Sequence, residues 1–459
     1  MHARFLFCVM ICSLLFSCKA KQEKANPAIL SDQNLLQNNM QQLTEVIIHD
    51  VFSPPVSSRI YAYTSIAAYE TIRFDKKGYP SIAKDLHGFA ALPEPEKNKS
   101  YNYLLAATKA FFTVAEKITF SADTLNHYQD KVYGDFKTLL DAGTYERSLA
   151  FGSAIGKKIL ERSTIDNYKQ TRGMPKYLGS DEQGKWRPTP PDYLDAAEPY
   201  WSMILPLSID STGQFKCPAP IPYSTDKKSL FYQSVNEVYT IGVNLTDEQK
   251  TIAKYWDDNP FVMEHTGHLM YGNKKITPVG HWIGIAGIAT NMKKLDAVEI
   301  AQTYALTSTA IFDAIIACWK EKYTSYQIRP ITVINEVIDR NWLPFLQTPP
   351  FPEHTSGHSG ISASAATVLT AKLGDNFAFL DTCDFNYIGM KRNFTSFNQA
   401  ALEASVSRVY GGIHYRHGVD AGAIQGRQIA NYVIGKFLPE NAVTKKVNAG
   451  KDLTANKNH

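Results

Sequence analysis

Residues 297–330, AVEIAQTYALTSTAIFDAIIACWKEKYTSYQIRP, begin as a helix and end in a pair of spaced cations. From Ala297 to Lys322 the apolar residues keep a helical spacing, with no strand-like alternation. Six residues separate Lys322 from Arg329, which is followed by Pro330, a favourable first residue for the next helix. One long helix therefore delivers a lysine to its end, and the next helix opens on an arginine. Asp313 within the first helix is read as a helix-to-helix hydrogen-bonding residue, not a catalyst.

The same patterning extends outward in both directions. Amphipathic helices are expected over 35–50, 57–73, 100–117, 122–142, 144–162, 228–240, 246–257, 277–291, 328–338, 358–373, 386–409 and 418–437. The segment from Tyr168 to Tyr223 departs from this pattern. Its nine prolines make it a long irregular connection, the kind that wraps a surface or carries function. The expected fold is all-α: two packed helical bundles joined by a long Pro-rich crossover. The divisions are 1–17, 18–34, a helical half over 35–167, the crossover over 168–227, a second bundle over 228–438, and a polar tail over 439–459. No repeat of solenoid period is present.

Two further motifs complete the cation pair. Ser356-Gly357-His358 precedes the helix opening near His358, so its N–H groups and the helix dipole face an anion. Ser407-Arg408, five residues, then His414 ends another helix, and Gly411-Gly412 break that helix so that His414 can turn inward. One Lys, two Arg, a Ser-Gly turn and two His form a complete cradle for a multiply charged oxyanion. Each cation near 4 Å is worth roughly 4 kcal/mol at an effective dielectric of about 20, before desolvation.

At these residues the chain resembles the vanadium-dependent haloperoxidases and the type-2 phosphatidic acid phosphatases that share their site. The resemblance implies a haloperoxidase-like fold, with His414 bonded to the metal of vanadate. It implies that Lys322, Arg329, Ser356, Gly357 and Arg408 hold the equatorial oxygens, and that His358 is the general acid/base. Trp319 and Phe351 look like aromatic positions lining the halide side of the pocket; bromide-oxidising members tend to have His where Phe351 stands. Similarity to soluble bacterial relatives extends to Pro54 through Ala62, Trp186 through Pro191 and Pro278 through Trp282, or roughly residues 40–440 in all.

Two positions depart from the family pattern. Thr355 stands where most relatives have Pro, which should loosen the turn before Ser356. Gly418 stands where many have an Asp four residues after the metal-bonding His. The nearest acid is then Asp420, so Asp420 or a backbone carbonyl is expected to orient His414. His354 and His417 lie beside the site in sequence and are candidates to tune His358 or contact substrate. His265, His268 and His281 raise the idea of zinc, but Gly267 and Pro260 indicate a loop without an acidic partner in register, so a structural or rim role is expected.

A net charge of +4 over 459 residues provides no nucleic-acid surface. At the N-terminus, Arg4 precedes an apolar run from Phe5 to Phe16 that is too short to span a bilayer. Leu15-Phe16-Ser17-Cys18 then reads as a lipobox, with Cys18 the lipidated residue of a bacterial envelope protein facing the periplasm or the cell surface. Residues 18–34 would be its tether. Beyond the signal and Cys18, Cys217, Cys318 and Cys383 are widely separated; they read as buried hydrophobes with at most one disulfide among them.

The expected function is a haloperoxidase that uses vanadate, hydrogen peroxide and a halide, with Lys322 polarising bound peroxide and an unidentified organic compound accepting the halogen. The alternatives are an acid phosphatase without vanadate, in which His414 attacks phosphorus, and an oxyanion-binding lipoprotein without catalysis.

Overall fold

The computed structural model describes residues 26–266, 269–272 and 275–438. The signal segment, Cys18, His268 and the tail from Pro439 lie outside the described residues. The helices, in chain order, are α1 (Asn34–His49), α2 (Pro54–Ile72), α3 (Tyr103–Ile118), α4 (Ala122–Leu139), α5 (Ala142–Ile165), α6 (Tyr168–Arg172), α7 (Leu230–Val243), α8 (Asp247–Tyr255), α9 (Pro278–Met292), α10 (Ala297–Ser325), α11 (Pro330–Val337), α12 (Gly357–Leu373), α13 (Phe385–Ile388), α14 (Phe397–Tyr410) and α15 (Arg416–Phe437). The fold is all-α, as expected. Strand structure among the described residues is confined to two small antiparallel hairpins, β1 (Met263–Thr266) with β2 (Leu269–Gly272) and β3 (Phe379–Asp381) with β4 (Arg392–Phe394).

Local chemistry sets the ends of the helices. The Ser53 hydroxyl accepts from the Val56 N–H, and Pro54-Pro55 take the first helical positions, so α2 starts three residues earlier than its apolar pattern suggests. Asp296 and Glu299 form a capping box at the start of α10. At the other end, Tyr323 is non-helical (φ −91°, ψ 16°) and Tyr326 caps the helix in the left-handed region, so Lys322 sits at a kink and not at the last residue.

Two groups of helices share α10. On one side α2 packs on α3 and α5, with α1 and α4 outside them; on the other, α12 packs on α14 and α15. α10 packs on α2 and also on α12 and α15, and one continuous apolar core runs through both groups. Among the described residues, α10 alone is long and apolar enough to cross a membrane, and that stretch is entirely buried in the fold. An all-round apolar helix is what the centre of a large helical protein needs.

Three expectations require correction. The helix expected over 386–409 is α13, the strand β4 and α14, because Gly389 turns the chain at φ 71° and Ser396 caps a new helix by accepting from the Gln399 N–H. The loop expected around His265 is the β1–β2 hairpin. The tether does not run free as far as residue 34: Pro27–Ser31 form a 3-10 turn, Ile29 and Leu30 pack on the core, and the Leu30 carbonyl accepts from Asn102.

The crossover is irregular apart from α6 and a short turn at Trp201–Met203, and it is tied to α10. The Ala197 carbonyl accepts from Trp319 Nε1 (3.3 Å) and the Tyr323 hydroxyl (2.7 Å), while the Ala197 N–H donates to the Pro350 carbonyl (2.8 Å). Asp313 takes the backbone N–H groups of Leu207, Ser208 and Ile209, so it joins α10 to the crossover and not to another helix.

Candidate active site

Three helix ends converge as the motif spacing requires. Lys322 comes from the kink of α10, Arg329 from the residue capping α11, and Ser356 from the residue capping α12, with Gly357 and His358 in its first turn. Arg408 lies in the last turn of α14. Gly411 caps that helix and Gly412 takes φ 76°, a left-handed conformation that admits glycine without strain. The chain reverses there and carries His414 back towards Arg329.

Lys322, Arg329, Ser356 and Arg408 are each 0% exposed, so these cations have been taken out of water. Lys322 Nζ donates to the carbonyls of Pro352 (2.8 Å) and Glu353 (3.0 Å). Arg329 donates to the carbonyls of Phe351 and Ile413 and approaches His414 Nε2 at 3.1 Å, while its Nη2 is buried without a partner. Arg408 donates to the Asp257 and Trp256 carbonyls and lies 3.3 Å from His358 Nε2. Burial pushes the Lys322 ammonium down to about 7 and both guanidiniums down to about 10. A cluster of desolvated cations with an idle donor is poised for an anion.

The imidazoles face the same cavity, which is also lined by Gly357, Trp319 and Phe351. Burial, then Arg329 beside His414 and Arg408 beside His358, hold both rings well below the usual histidine range, so both are neutral. Trp319 and Phe351 pack at 5.2 Å between ring centroids, and Lys322 Nζ lies 4.8 Å from the Phe351 ring. Asp258, Asn259, Pro260 and Phe261 form part of the cavity wall as well; nothing in their spacing marks them out.

The group that orients His414 is Glu353, not Asp420. His414 Nδ1 lies 2.7 Å from Glu353 Oε1, which also accepts from the Tyr415 N–H at 3.1 Å. The carboxylate therefore holds the Nδ1–H tautomer, leaving the Nε2 lone pair for the cradle. Gly418 makes this possible: a Cβ there would stand 2.3 Å from Glu353 Oε1 and 2.7 Å from Oε2. Glu353 thus occupies the space that a longer residue at 418 would fill. Asp420 has Arg416, Glu237 and Arg427 as its charged neighbours. Burial raises the Glu353 carboxyl to about 7, against the pull of Arg329 and Lys322.

Other expectations are also corrected. His354 and His417 flank Glu353 behind His414 and are absent from the cavity wall, so they do not tune His358 by contact. His281 has acidic partners that its spacing did not reveal: its ring nitrogens meet Asp258 (3.0 Å) and Asp381 (2.9 Å). Burial opposes its charge, but Asp258 and Asp381 outweigh that and raise it well above the usual range. The turn at Thr355 is not loose: its hydroxyl donates to Cys318 Sγ at 3.3 Å, and the Cys318 thiol bonds the Thr355 carbonyl. Cys217, Cys318 and Cys383 are all free; only Cys318 is fully buried.

A helical core presenting buried cations, helix N-terminal donors and a neutral, oriented imidazole defines a protein built to hold a tetrahedral or five-coordinate oxyanion. The family model for the VCPO second helical-bundle domain matches residues 302–439. The crystal structure of a bacterial vanadium-dependent iodoperoxidase is 43% identical, with 88% of this chain and 96% of that one covered and a TM-score of 0.83. The holo and apo structures of a bacterial vanadium-dependent chloroperoxidase share the fold at 16% and 15% identity, covering 84% of this chain and 93% and 94% of theirs, with TM-scores of 0.66 and 0.65. No curated protein matches the chain. The chain belongs to the vanadium-dependent haloperoxidases.

The donor set fits vanadate. The unpartnered Arg329 Nη2, the remaining proton of Lys322 and the first-turn N–H groups of α12 suit equatorial oxygens. The Nε2 of His414, left unprotonated by the Glu353 bond and approached by Arg329 Nη1 at 3.1 Å, suits the metal.

Proposed function

We propose that the chain oxidises iodide with hydrogen peroxide at a vanadate held by Lys322, Arg329, Ser356, Gly357 and Arg408 and bonded by His414. The observation that carries this reading is the His414–Glu353 pair inside a ring of buried cations: a fixed tautomer with its lone pair directed where an anion is stabilised. When bound, vanadate supplies a Lewis-acid centre that activates peroxide for attack by halide without changing oxidation state.

The chain's residues provide the rest. His358, neutral and lining the cavity, takes a proton from incoming peroxide and returns it to the departing oxygen, so that H₂O₂, I⁻ and H⁺ become HOI and water. Lys322 places a point charge where negative charge leaves the peroxide, and the apolar walls around it strengthen that charge. Trp319 and Phe351 exclude water from one side. Iodide, the most polarisable and least strongly hydrated of the halides, loses least on entering such a wall, which agrees with the 43% identity to an iodoperoxidase.

Cys18 would be lipidated, placing the enzyme at the bacterial envelope, where hypoiodous acid would meet an organic acceptor. The short apolar run ending in Leu15-Phe16-Ser17-Cys18 supports this.

Triiodide formation from iodide and peroxide, measured before and after vanadate is added to the metal-free protein, tests the reading beside p-nitrophenyl phosphate hydrolysis without vanadate. Vanadate-dependent triiodide is expected. Phosphate ester turnover without any peroxide-dependent oxidation would reverse the assignment in favour of a phosphatase.

A further inference from the structure

Behind His414 lies a second cluster, of which the oxyanion site uses only Glu353 Oε1. Glu353 and His354 are each 0% exposed, and His417 beside them is partly exposed. One ligand-capable atom from each lies within 4.8 Å of the other two. Each residue also has a buried polar atom with no hydrogen-bond partner: Glu353 Oε2, His354 Nδ1 and His417 Nδ1. Three idle acceptor or donor atoms on three neighbouring side chains are costly in a folded interior unless something binds them.

The remaining atoms of these residues are already committed. Glu353 Oε1 serves His414 and the Tyr415 N–H, His417 Nε2 meets the Gln327 amide at 3.2 Å, and the His354 ring has the Pro218 carbonyl as a partner, with its Nε2 facing Cys217 Sγ at 3.7 Å. The cluster around His281 differs, because both nitrogens of that ring are satisfied by carboxylates.

We propose that Glu353, His354 and His417 form a binding site for a divalent transition-metal cation of the zinc and copper class, adjoining the oxyanion site and sharing Glu353 with it. Two imidazoles and a carboxylate are the ligand types that such borderline ions select, with a fourth position open to solvent on the partly exposed His417 side. Ligands about 2.0–2.2 Å from one ion stand roughly 3.3–3.5 Å apart in a tetrahedron, so side-chain rotation of about an ångström closes the set. Glu353 would then bridge the cation through Oε2 and His414 through Oε1. The inference holds whichever anion fills the cradle.

The test is calorimetric titration of the chelator-treated, vanadate-free full chain with zinc chloride, repeated on His417→Ala and His354→Asn, with circular dichroism to establish folding. The expected result is one saturable zinc per chain in the wild type and affinity at least tenfold weaker in each folded variant. His417→Ala decides the matter if the buried His354 variant does not fold. Absence of saturable zinc, or equal affinity in wild type and His417→Ala, overturns the proposal. A parallel vanadate titration of His417→Ala, expected to match the wild type, separates this site from the cradle.

Discussion

Glu353 shows how one side chain can set the chemistry of another. Its carboxylate fixes the His414 tautomer, and partners of this kind change affinity for a bound metal by about 10–100-fold when removed. Glu353→Ala is therefore expected to weaken vanadate binding within that range. Gly418→Ala is expected to do the same, because its new Cβ would stand 2.3 Å from Glu353 Oε1. Equilibrium titration with vanadate measures both, and unchanged affinity in either would remove Glu353 from its role. The pH dependence has a definite sign. Burial lifts the Glu353 pKa from 4.5 to about 7, so the folded protein holds a proton that the unfolded chain has lost. The associated stability is fully present below 4.5 and disappears as pH rises through about 7. Between those limits the vanadate-free wild type should lose on the order of 1–3 kcal/mol relative to Glu353→Gln, seen by urea unfolding; parallel curves would contradict it. The cradle residues were legible in the sequence because each lies in a short motif with fixed spacing. Glu353 was not, because its role depends on the gap left by Gly418, 65 residues away (418 − 353), which no local pattern reveals.

Helix ends, more than helix faces, build this site. α10, α11, α12 and α14 each place a cation or donor within three residues of a terminus, where backbone groups are unpaired and the chain can change direction. Their interiors were readable from apolar spacing. Their boundaries were less so: the start of α2 depends on Ser53 and its following prolines, and the break before α14 on Gly389 and Ser396. Gly412 is the most exacting of these joints. Its φ of 76° disfavours any side chain, and a Cβ would come within 3.0 Å of Pro344 and Trp342. Gly412→Ala is expected to lower stability by about 1–3 kcal/mol and to shift His414 enough to weaken vanadate binding. Thermal unfolding and vanadate titration together check this; a variant that melts and binds as the wild type does would show the turn to be tolerant.

At the scale of the whole molecule, α10 joins the two helical groups, and the Pro-rich crossover is pinned to the same helix through Ala197, Trp319 and Tyr323. The all-helical class and the crossover follow from composition and period. That the two halves share one core does not, because periodicity marks the buried face of a helix but not the neighbour that covers it. The proposed envelope anchor belongs to this scale too. Cys18→Ser should move the protein from the membrane fraction to the soluble fraction, and continued membrane association would point to another anchor.

The proposed role of His414 is to commit a bound vanadate to halide oxidation. Its most direct test is iodide oxidation by wild type and His414→Ala at vanadate concentrations that saturate the wild type, with folding verified. Vanadate-dependent triiodide formation is expected of the wild type, with a loss of at least about a hundredfold in the variant, since His414 is the residue placed to bond the metal. Full activity in His414→Ala would contradict it.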